Sequence, residues 1–505
     1  MEHVNIEFGP EGKFIKAVKW AFVQNWGRYG IATLVTFILA YILSPSDFGT
    51  VAMASVYIAF IQMFLGLGFN TAIIQRKELK PLHLDSIFWL IVVSSLLLTV
   101  ASIILSSWWA RVNRLPNLAL VICVLSLAIP IQGLTIVQQA LFHREMDFKS
   151  LALRDNLSAF ASGIIGVGLA FAGFGVWALV GQQLCMAVVA LVLLWTLSHW
   201  RPSLQFSPHH VKELVVFSLT VFVGRLGVYL QRHADALIIG IFFGPTALGL
   251  YRLADRVMNL PLQLVTKAIH VVSLPQFSMS QENRRELKQS LLSCWRASSI
   301  MTIPAMMCLG ALSDPLMAAL GPRWALAANV LKILCVIGAV KSLTLYTGTM
   351  LQALSKPRIQ AFLVWCLALA NTVALIIVAI LLQDAPVSQQ IVAIATSRAC
   401  VFVLGFLPTR MMIAVHFASV RARDIVATVA PGVLAGTVMI LAVIGLGTSF
   451  HFIGHNPLLT LGLSGSVAVL LGFGTILLLD HQLRKSAFDI CLNIMYWCAQ
   501  RTRVK

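Results

Sequence analysis

The segment Gly249–Pro275, GLYRLADRVMNLPLQLVTKAIHVVSLP, decides how the rest of the chain is interpreted. It is apolar enough to cross a membrane, yet six polar residues recur along it at intervals of three or four. On an α-helix such intervals place all six on one face. A central Arg or Lys that faces lipid costs roughly 2.5–3.5 kcal/mol, so this face is predicted to line water or to bind an anion. The six residues are Arg252, Arg256, Asn259, Gln263, Lys267 and His270.

The composition of the whole chain is that of a membrane protein. Of 505 residues, 59% are hydrophobic and only 11% are charged, whereas soluble domains carry about 25% charged residues. The mean hydropathy is +0.87, and apolar runs of about 20 residues recur along the chain. We therefore predict an all-α integral membrane protein. The first apolar run, residues 17–43, is longer than the roughly 7–15 residues of a signal-peptide core and is predicted to be the first span.

Fourteen predicted spans follow from the apolar runs and from the turn residues between them. Basic residues test this order, because Lys and Arg concentrate in cytoplasmic loops. On one predicted side lie 23 basic residues and on the other only three, Arg111, Arg114 and Arg323, which predicts both termini in the cytoplasm. The predicted spans are residues 17–43, 48–75, 83–107, 116–141, 150–172, 175–198, 212–240, 247–276, 287–311, 325–352, 358–382, 388–409, 424–447 and 457–480.

An internal repeat at an offset of about 200 residues relates two parts of the chain. Ser44–Gly49 (SPSDFG) recurs as Gly244–Gly249 (GPTALG), and Gly27–Gly30 (GRYG) recurs as Gly224–Gly227 (GRLG). Six predicted spans separate the copies, so both copies face the same way. The sequence thus predicts two parallel six-helix lobes followed by two further helices. The predicted domains are the lobes 17–200 and 212–409, the added helices 424–480, a cytoplasmic N-terminal segment 1–16, and a cytoplasmic tail 481–505 that is either amphipathic or disordered.

Positive charge inside the predicted spans exceeds negative charge. Eleven basic residues fall well within them, against two acids well inside a helix, Asp235 and Asp255. Four more lie near span ends and are counted with the cytoplasmic loops: Arg154, Lys212, Lys288 and Arg358. Ion pairs between helices, or snorkelling to the surface, explain some of the eleven, and Arg252, three residues before Asp255, is the readiest to explain by pairing. We predict that the rest line a water-filled cavity between the lobes that binds an anionic substrate. The predicted cavity residues are Arg28, Arg225, Arg232, Arg256, Lys267, Lys341 and Arg398, with Asp235 and Asp255 as candidates for coupling to a proton or sodium ion.

The cysteines and histidines are not spaced as a metal or redox site. The nine cysteines include no CxxC pair, so we interpret them as inert thiols and expect neither a metal nor a cofactor. The net charge of +18 is typical of basic loops against anionic lipid, and no nucleic-acid-binding pattern accompanies it. No nucleophile–base arrangement is visible, and the longest predicted outer loop, residues 312–324, is short. We therefore expect the protein not to be an enzyme.

Five short runs carry a family resemblance. They are Leu43–Gly49 (LSPSDFG), Arg144–Phe148 (REMDF), Gly173–Val180 (GFGVWALV), Trp200–Pro202 (WRP) and Leu248–Ala254 (LGLYRLA). In these runs the chain resembles the polysaccharide (lipopolysaccharide and exopolysaccharide) transporters of the multidrug/oligosaccharidyl-lipid/polysaccharide flippase superfamily. The resemblance implies two lobes around a central cavity that open alternately to the two sides of a bacterial cytoplasmic membrane. It implies transfer of polyprenyl-pyrophosphate-linked oligosaccharide repeat units to the outer leaflet, with a polysaccharide polymerase and chain-length regulator proteins as partners.

Three other functions stay open from the sequence. A lipid II flippase for peptidoglycan would share the cationic cavity and the fourteen helices. A multidrug exporter of the same superfamily would bind organic cations, which an excess of positive charge repels. A polysaccharide polymerase is disfavoured by the short outer loops.

Overall fold

The computed structural model describes residues 10–65, 73, 81–205, 207–450 and 457–479, with side chains described for residues 19–65, 73, 81–205, 207, 226–266, 269, 270, 272–446 and 461–478. Throughout these ranges the regular secondary structure is helical, which confirms the predicted all-α class. Within the described residues, ten helical stretches are long and apolar enough to cross a membrane, and a bent pair, Arg284–Ala311 with Ser313–Ala319, would make eleven. Pro116–Gly133, Leu226–Thr266 and Val387–Ala418 each count as one stretch. The chain is therefore a multi-pass membrane protein. The predicted count of fourteen spans is compatible with these helices and stays a prediction.

Proline and glycine set many of the helix boundaries. Seven of the helices begin at a proline, whose fixed φ suits a first turn and whose missing N–H is not needed there: Pro10, Pro45, Pro81, Pro116, Pro208, Pro357 and Pro457. The structure also has a 3₁₀ turn, Pro322–Trp324, and a π turn, Val401–Phe406. The helices are α1 Pro10–Ile42, α2 Pro45–Leu65, α3 Pro81–Val112, α4 Pro116–Ser126, α5 Ala128–Gly133, α6 Ile136–Arg144, α7 Phe148–Phe171, α8 Val176–Leu197, α9 Pro208–Met279, α10 Arg284–Ala311, α11 Ser313–Ala319, α12 Ala327–Ala353, α13 Pro357–Leu381, α14 Val387–Cys400, α15 Leu407–Ala418, α16 Ala422–Phe450 and α17 Pro457–Leu479.

Gly244 divides α9 into two helical arms. Its φ of 82° lies where glycine is favoured over every other residue, so the helical path is interrupted at the turn that the sequence predicts between 212–240 and 247–276. That these are two separate spans stays a prediction. The predicted span 116–141 is instead three short helices, α4, α5 and α6. Pro130 lacks the N–H that would bond to the carbonyl of Ser126, which accounts for the break between α4 and α5. The end of the predicted span 48–75 beyond Leu65, except residue 73, and the predicted segments 1–9 and 481–505 lie outside the described residues.

The chain divides into two compact units. The first comprises the chain up to Leu253 together with Ala361–Ile394, and the second comprises Ala254–Gln360 together with the chain from Ala395 onward. In the first unit α7 packs against α1 and α8, and in the second α10 packs against α12 and α16. A Cβ on Gly227 would lie 2.8 Å from the ring of Trp365, so this glycine lets residues 361–394 pack closely on α9. The lobes 17–200 and 212–409 stay a prediction.

Two glycines bring the two copies of the SPSDFG-like repeat into backbone contact within the first unit. A Cβ on Gly49 would lie 2.8 Å from Cα of Pro245 and still closer to its carbonyl oxygen. A Cβ on Gly249 would lie 2.7 Å from the carbonyl carbon of Pro45 and still closer to its oxygen. Residues 200 positions apart therefore exchange the same contact. Such reciprocity is what a pair of copies related by a two-fold axis would produce, and it supports the internal repeat.

Candidate functional site

A cluster of charged side chains joins α1 to α7 around the carboxylate of Asp155. Arg154 binds it most closely, with Nη2 2.5 Å and Nε 2.7 Å from Oδ1, and Gln24 donates a hydrogen bond to Oδ2 at 2.8 Å. Nη1 of Arg28 lies 3.7 Å from Oδ2, and the Arg28 side chain is 42% exposed while that of Asp155 is 8% exposed. One carboxylate therefore faces two guanidinium groups, and the cluster keeps a net positive charge.

Asp155 corrects the charge count made from the sequence. The expectation that Asp235 and Asp255 are the only acids well inside a helix is wrong, because Asp155 lies in α7 and is 6% exposed. Arg154, counted among the loop residues, lies beside it and is 8% exposed. Both positions fall within the predicted span 150–172, so the signal was present in the sequence. Arg28 thus has an acidic partner that the sequence interpretation did not give it.

A second charged pair lies within the second unit. Nη1 of Arg398 is 3.3 Å from Oδ1 of Asp255, and Oδ2 of Asp255 accepts a hydrogen bond from Nδ2 of Asn259 at 3.0 Å. Arg398 is 5% exposed. Buried charges are tolerated when they are paired and hydrogen-bonded. Asp255 and Arg398 therefore form an ion pair with no net charge. Asn259, from the segment Gly249–Pro275, adds a hydrogen bond to this pair.

Two further cations of the second unit lie against the π turn. Nζ of Lys341 is 5.6 Å from the ring centre of Phe402, and the guanidinium of Arg410 is 4.6 Å from that of Phe406. The centres of the two rings are themselves 5.6 Å apart, and the ring planes are inclined by 63°. Each contact is within the range of cation–π attraction, and the rings are within that of an edge-to-face pair. The π turn, a feature that recurs at functional sites, therefore has a cation at each of its two rings.

Arg410 is a deep cation that the sequence interpretation placed in a loop after residue 409. It is 2% exposed, because the chain continues into α15 through the π turn instead of ending. Its Nη1 donates to Oε1 of Gln360 at 2.5 Å, while its Nε has no hydrogen-bond partner within the described part of the chain. The contacts described for Arg410 are thus to neutral groups. A buried charge in such surroundings is costly, which makes Arg410 an additional candidate for anion binding.

The arm of α9 before Gly244 contributes aromatic and histidine contacts. The hydroxyl of Tyr229 donates to the carbonyl oxygen of Val56 at 2.9 Å, and its ring lies 4.7 Å from that of His233. Nη2 of Arg252 is 3.3 Å from Nδ1 of His233. Arg252 therefore contacts a histidine, whereas Asp255, the partner expected from the sequence, pairs with Arg398. Asp235 is 2% exposed and its Oδ1 accepts from the backbone N–H of Ala236 at 2.9 Å.

The other predicted cavity residues all lie on α9. Arg232 and Arg256 have exposed side chains, and Arg256 also has a contact partner of its own. Arg225 and Lys267 lie in the helix, but their side chains are outside the described set. An exposed arginine within a membrane-spanning helix faces water or the membrane interface, because lipid does not solvate it.

The sequence of the chain matches a model of a protein family over more than half its length. The description of that family is polysaccharide biosynthesis protein, and the match covers residues 38–329. The chain belongs to this family. Its relatives include the succinoglycan biosynthesis transport protein ExoT of Rhizobium meliloti, which is 30% identical over 63% of this chain and 64% of the relative. The chain therefore matches just under two thirds of that relative's length. The lipopolysaccharide biosynthesis protein WzxC of Escherichia coli is 27% identical over 68% of this chain and 70% of the relative.

The chain also shares its fold with solved transporters. The lipid II flippase MurJ, in an inward closed conformation, matches with a TM-score of 0.69 over 93% of this chain and 100% of that structure, at 13% identity. A multidrug resistance transporter of the MATE family, in an inward-facing conformation, matches with a TM-score of 0.60 over 76% of this chain and 94% of that structure, at 17% identity. At these identities the likeness establishes the fold alone.

Proposed function

We propose that this protein transfers polyprenyl-pyrophosphate-linked oligosaccharide repeat units from the inner to the outer leaflet of a bacterial cytoplasmic membrane. Both termini lie in the cytoplasm, and two lobes open alternately around a cationic path. Membership of the polysaccharide biosynthesis family supports this function, as do relatives named for the transport of succinoglycan and the biosynthesis of lipopolysaccharide. A pyrophosphate with a sugar attached needs a water-filled and positively charged path through the bilayer, because lipid solvates neither part.

The arrangement of Arg28, Arg154 and Asp155 is the observation that carries the proposal. Arg154 already neutralises the carboxylate through two short contacts, whereas Arg28 lies 3.7 Å away and is 42% exposed. An ion pair so long and so exposed contributes only about 0–1 kcal/mol. Arg28 can therefore leave Asp155 at little cost and bind a phosphate oxygen, for which its planar guanidinium is well suited. Arg154 remains with Asp155 and keeps the carboxylate from repelling the substrate.

The other proposed substrate contacts are also basic side chains that an anion can reach. Arg232 and Arg256 are exposed, and Lys341 is half-buried over Phe402. We include Arg225, Lys267 and Arg398 in the cationic path, with Arg398 held by Asp255 until substrate competes for it. Asp235 and Asp255 are the proposed sites of proton or sodium coupling. A polysaccharide polymerase and chain-length regulators are the proposed partners at the membrane.

Replacing Arg28 with alanine tests the proposal in a strain that lacks the gene and makes no surface polysaccharide. A charge-assisted hydrogen bond contributes about 1.5–3 kcal/mol, so we expect transport to fall about 10- to 100-fold, with lipid-linked repeat units accumulating inside the cell. Arg28→Lys should restore part of the activity because it keeps the charge. Arg285→Ala is the matched control, since Arg285 is exposed at the start of α10. Full polysaccharide production by Arg28→Ala and Arg256→Ala, at normal protein levels, would refute the cationic path.

A further inference from the structure

The turn between α3 and α4 forms a cavity that the proposed transport path does not use. Its volume is about 440 Å³, and it is built from residues between Ser107 and Ala119. Ala110, Leu115 and Pro116 are among its apolar lining residues, while Arg111 and Arg114 supply its charge. This volume is within the range that small ligands occupy in proteins. An apolar wall beside two cations is suited to a ligand that is part anion and part hydrocarbon.

The charge of both arginines is available to a ligand. Both side chains are exposed, and Nε of Arg111 donates only to the backbone carbonyl of Ser107, at 3.3 Å. Among the ion pairs of the described residues, no carboxylate is paired with Arg111 or Arg114. Two guanidinium groups at one cavity repel each other, and an anion between them would remove that repulsion.

The backbone of Arg114 is strained in a way that glycine would relieve. Its φ is 54°, in the left-handed region. The turn is closed by bonds from N of Arg114 to O of Arg111 at 3.1 Å and from N of Leu115 to O of Ala110 at 3.0 Å. This is the position after a helix end where glycine is usual. An arginine kept in a strained conformation, with its side chain at a cavity, suggests that the side chain is used.

The cavity lies at the predicted level of the outer lipid headgroups. Arg111 and Arg114 are two of only three basic residues that the sequence assigns to the outer side. Trp108, which is 54% exposed, and Trp109 precede them on α3. Tryptophan concentrates at the boundary between hydrocarbon and water. The depth and the charge of the cavity therefore match the phosphate of a lipid.

We propose that this cavity binds an anionic lipid of the outer leaflet, with the lipid phosphate between Arg111 and Arg114 and the start of the hydrocarbon chain on the apolar wall. Arginine pairs with phosphate through parallel hydrogen bonds, which two guanidinium groups can make together. A resident phospholipid and the lipid diphosphate delivered by transport share this chemistry. Only the second source rests on the proposed function.

Binding is measured on the purified full chain in neutral detergent, by native mass spectrometry with added lipid. Phosphatidylglycerol and a polyprenyl diphosphate are the two anionic probes, and phosphatidylcholine is the probe without net charge. The variants are Arg111→Gln, Arg114→Gly and the double variant, with Arg323→Gln as the control on the same predicted side. Arg114→Gly removes the cation and relieves the positive φ, so its melting temperature should equal or exceed that of the wild type. A loss of binding in this variant cannot then be attributed to misfolding.

We expect the dissociation constant of an anionic probe to rise about fivefold for each arginine removed and about 25-fold for both, from the usual contribution of a basic residue near anionic lipid. Weakened binding of phosphatidylglycerol points to a resident phospholipid, and weakened binding of the diphosphate alone points to the transported lipid. Wild-type affinity of the double variant for both probes, or an equal loss in Arg323→Gln, would overturn the site. Because no transport is measured, this result is independent of the test of Arg28.

Discussion

Replacing Gly249 with alanine tests the backbone contact between the two repeat copies. The new Cβ would lie 2.7 Å from the carbonyl carbon of Pro45 and 3.1 Å from the amide nitrogen of Gly49, and closer still to the Pro45 oxygen. These are main-chain atoms, so none of them can rotate away. Since ordinary Cβ contacts lie at 3.4–4 Å, the two segments must separate by more than about 1 Å at the Pro45 oxygen, and the dispersion contacts around them weaken.

The expected magnitude is the difference between two effects. Overpacking a well-packed contact costs about 1–3 kcal/mol, while alanine in place of glycine inside a helix stabilises by about 1 kcal/mol. We therefore expect Gly249→Ala to destabilise the protein by up to about 2 kcal/mol. Gly168→Ala is the matched control, because no heavy atom lies within 4 Å of its added Cβ. It should stabilise the protein by up to about 1 kcal/mol.

The assay is thermal unfolding of the detergent-solubilised protein, followed by the fraction that remains monodisperse after heating. Gly249→Ala should lose monodispersity at a lower temperature than the wild type, and Gly168→Ala at the same or a higher one. Gly49→Ala should resemble Gly249→Ala, and the double variant should cost less than the sum, because both changes open one interface. Equal midpoints for Gly249→Ala and Gly168→Ala would refute the close approach of the two copies.

Two further perturbations test the charged clusters. Asp155→Asn leaves the buried Arg154 without its carboxylate, so we expect the free energy of unfolding to fall by about 3–5 kcal/mol, seen as a lower unfolding midpoint. Adding Arg154→Met should recover much of this stability. No recovery would mean that Asp155 does not act through Arg154. Burial lowers the pKa of His143, and the nearby charge of Arg154 lowers it further. The unfolded chain therefore binds a proton more readily, and stability should fall as the pH drops through the ordinary value of 6.5. Unfolding midpoints measured from about pH 7.5 to about pH 5.5 should show a smaller change for His143→Gln than for the wild type; an equal change would contradict this assignment.

The helix boundaries were largely predictable because the residues that set them act locally. Gly244–Pro245 marks the break in α9, and helices begin at prolines such as Pro116 and Pro357. Such residues act through their own φ and their own N–H, so a single sequence reveals them. The division of 116–141 into three helices was harder to predict. Pro130 stands in an apolar run whose hydropathy continues without interruption, and hydropathy does not show where hydrogen bonds are lost.

The candidate site was less predictable because its contacts are non-local. Arg398 pairs with Asp255, 143 residues away, and Arg28 of α1 lies near Asp155 of α7. Periodicity places a side chain on a helix face but does not say which helix it meets. Arg410 was missed for a different reason. The predicted span ended at residue 409, yet the helical path continues through the π turn Val401–Phe406 into α15, which has Pro408 in its first turn. A widened turn relieves the clash that proline normally makes with the carbonyl four residues earlier.

The placement of Ala361–Ile394 in the first unit has a consequence for the order of synthesis. The intervening segment Ala254–Gln360 belongs to the second unit, so a growing chain must complete it before the first unit can close. At about 5–20 residues per second this takes on the order of 5–20 s. During that interval the surface of α9 at Gly227, which Trp365 later covers, has not yet received its partner. Folding of the first unit therefore cannot proceed strictly from the N-terminus, and it finishes only after the segment Ala254–Gln360 of the second unit has been synthesised.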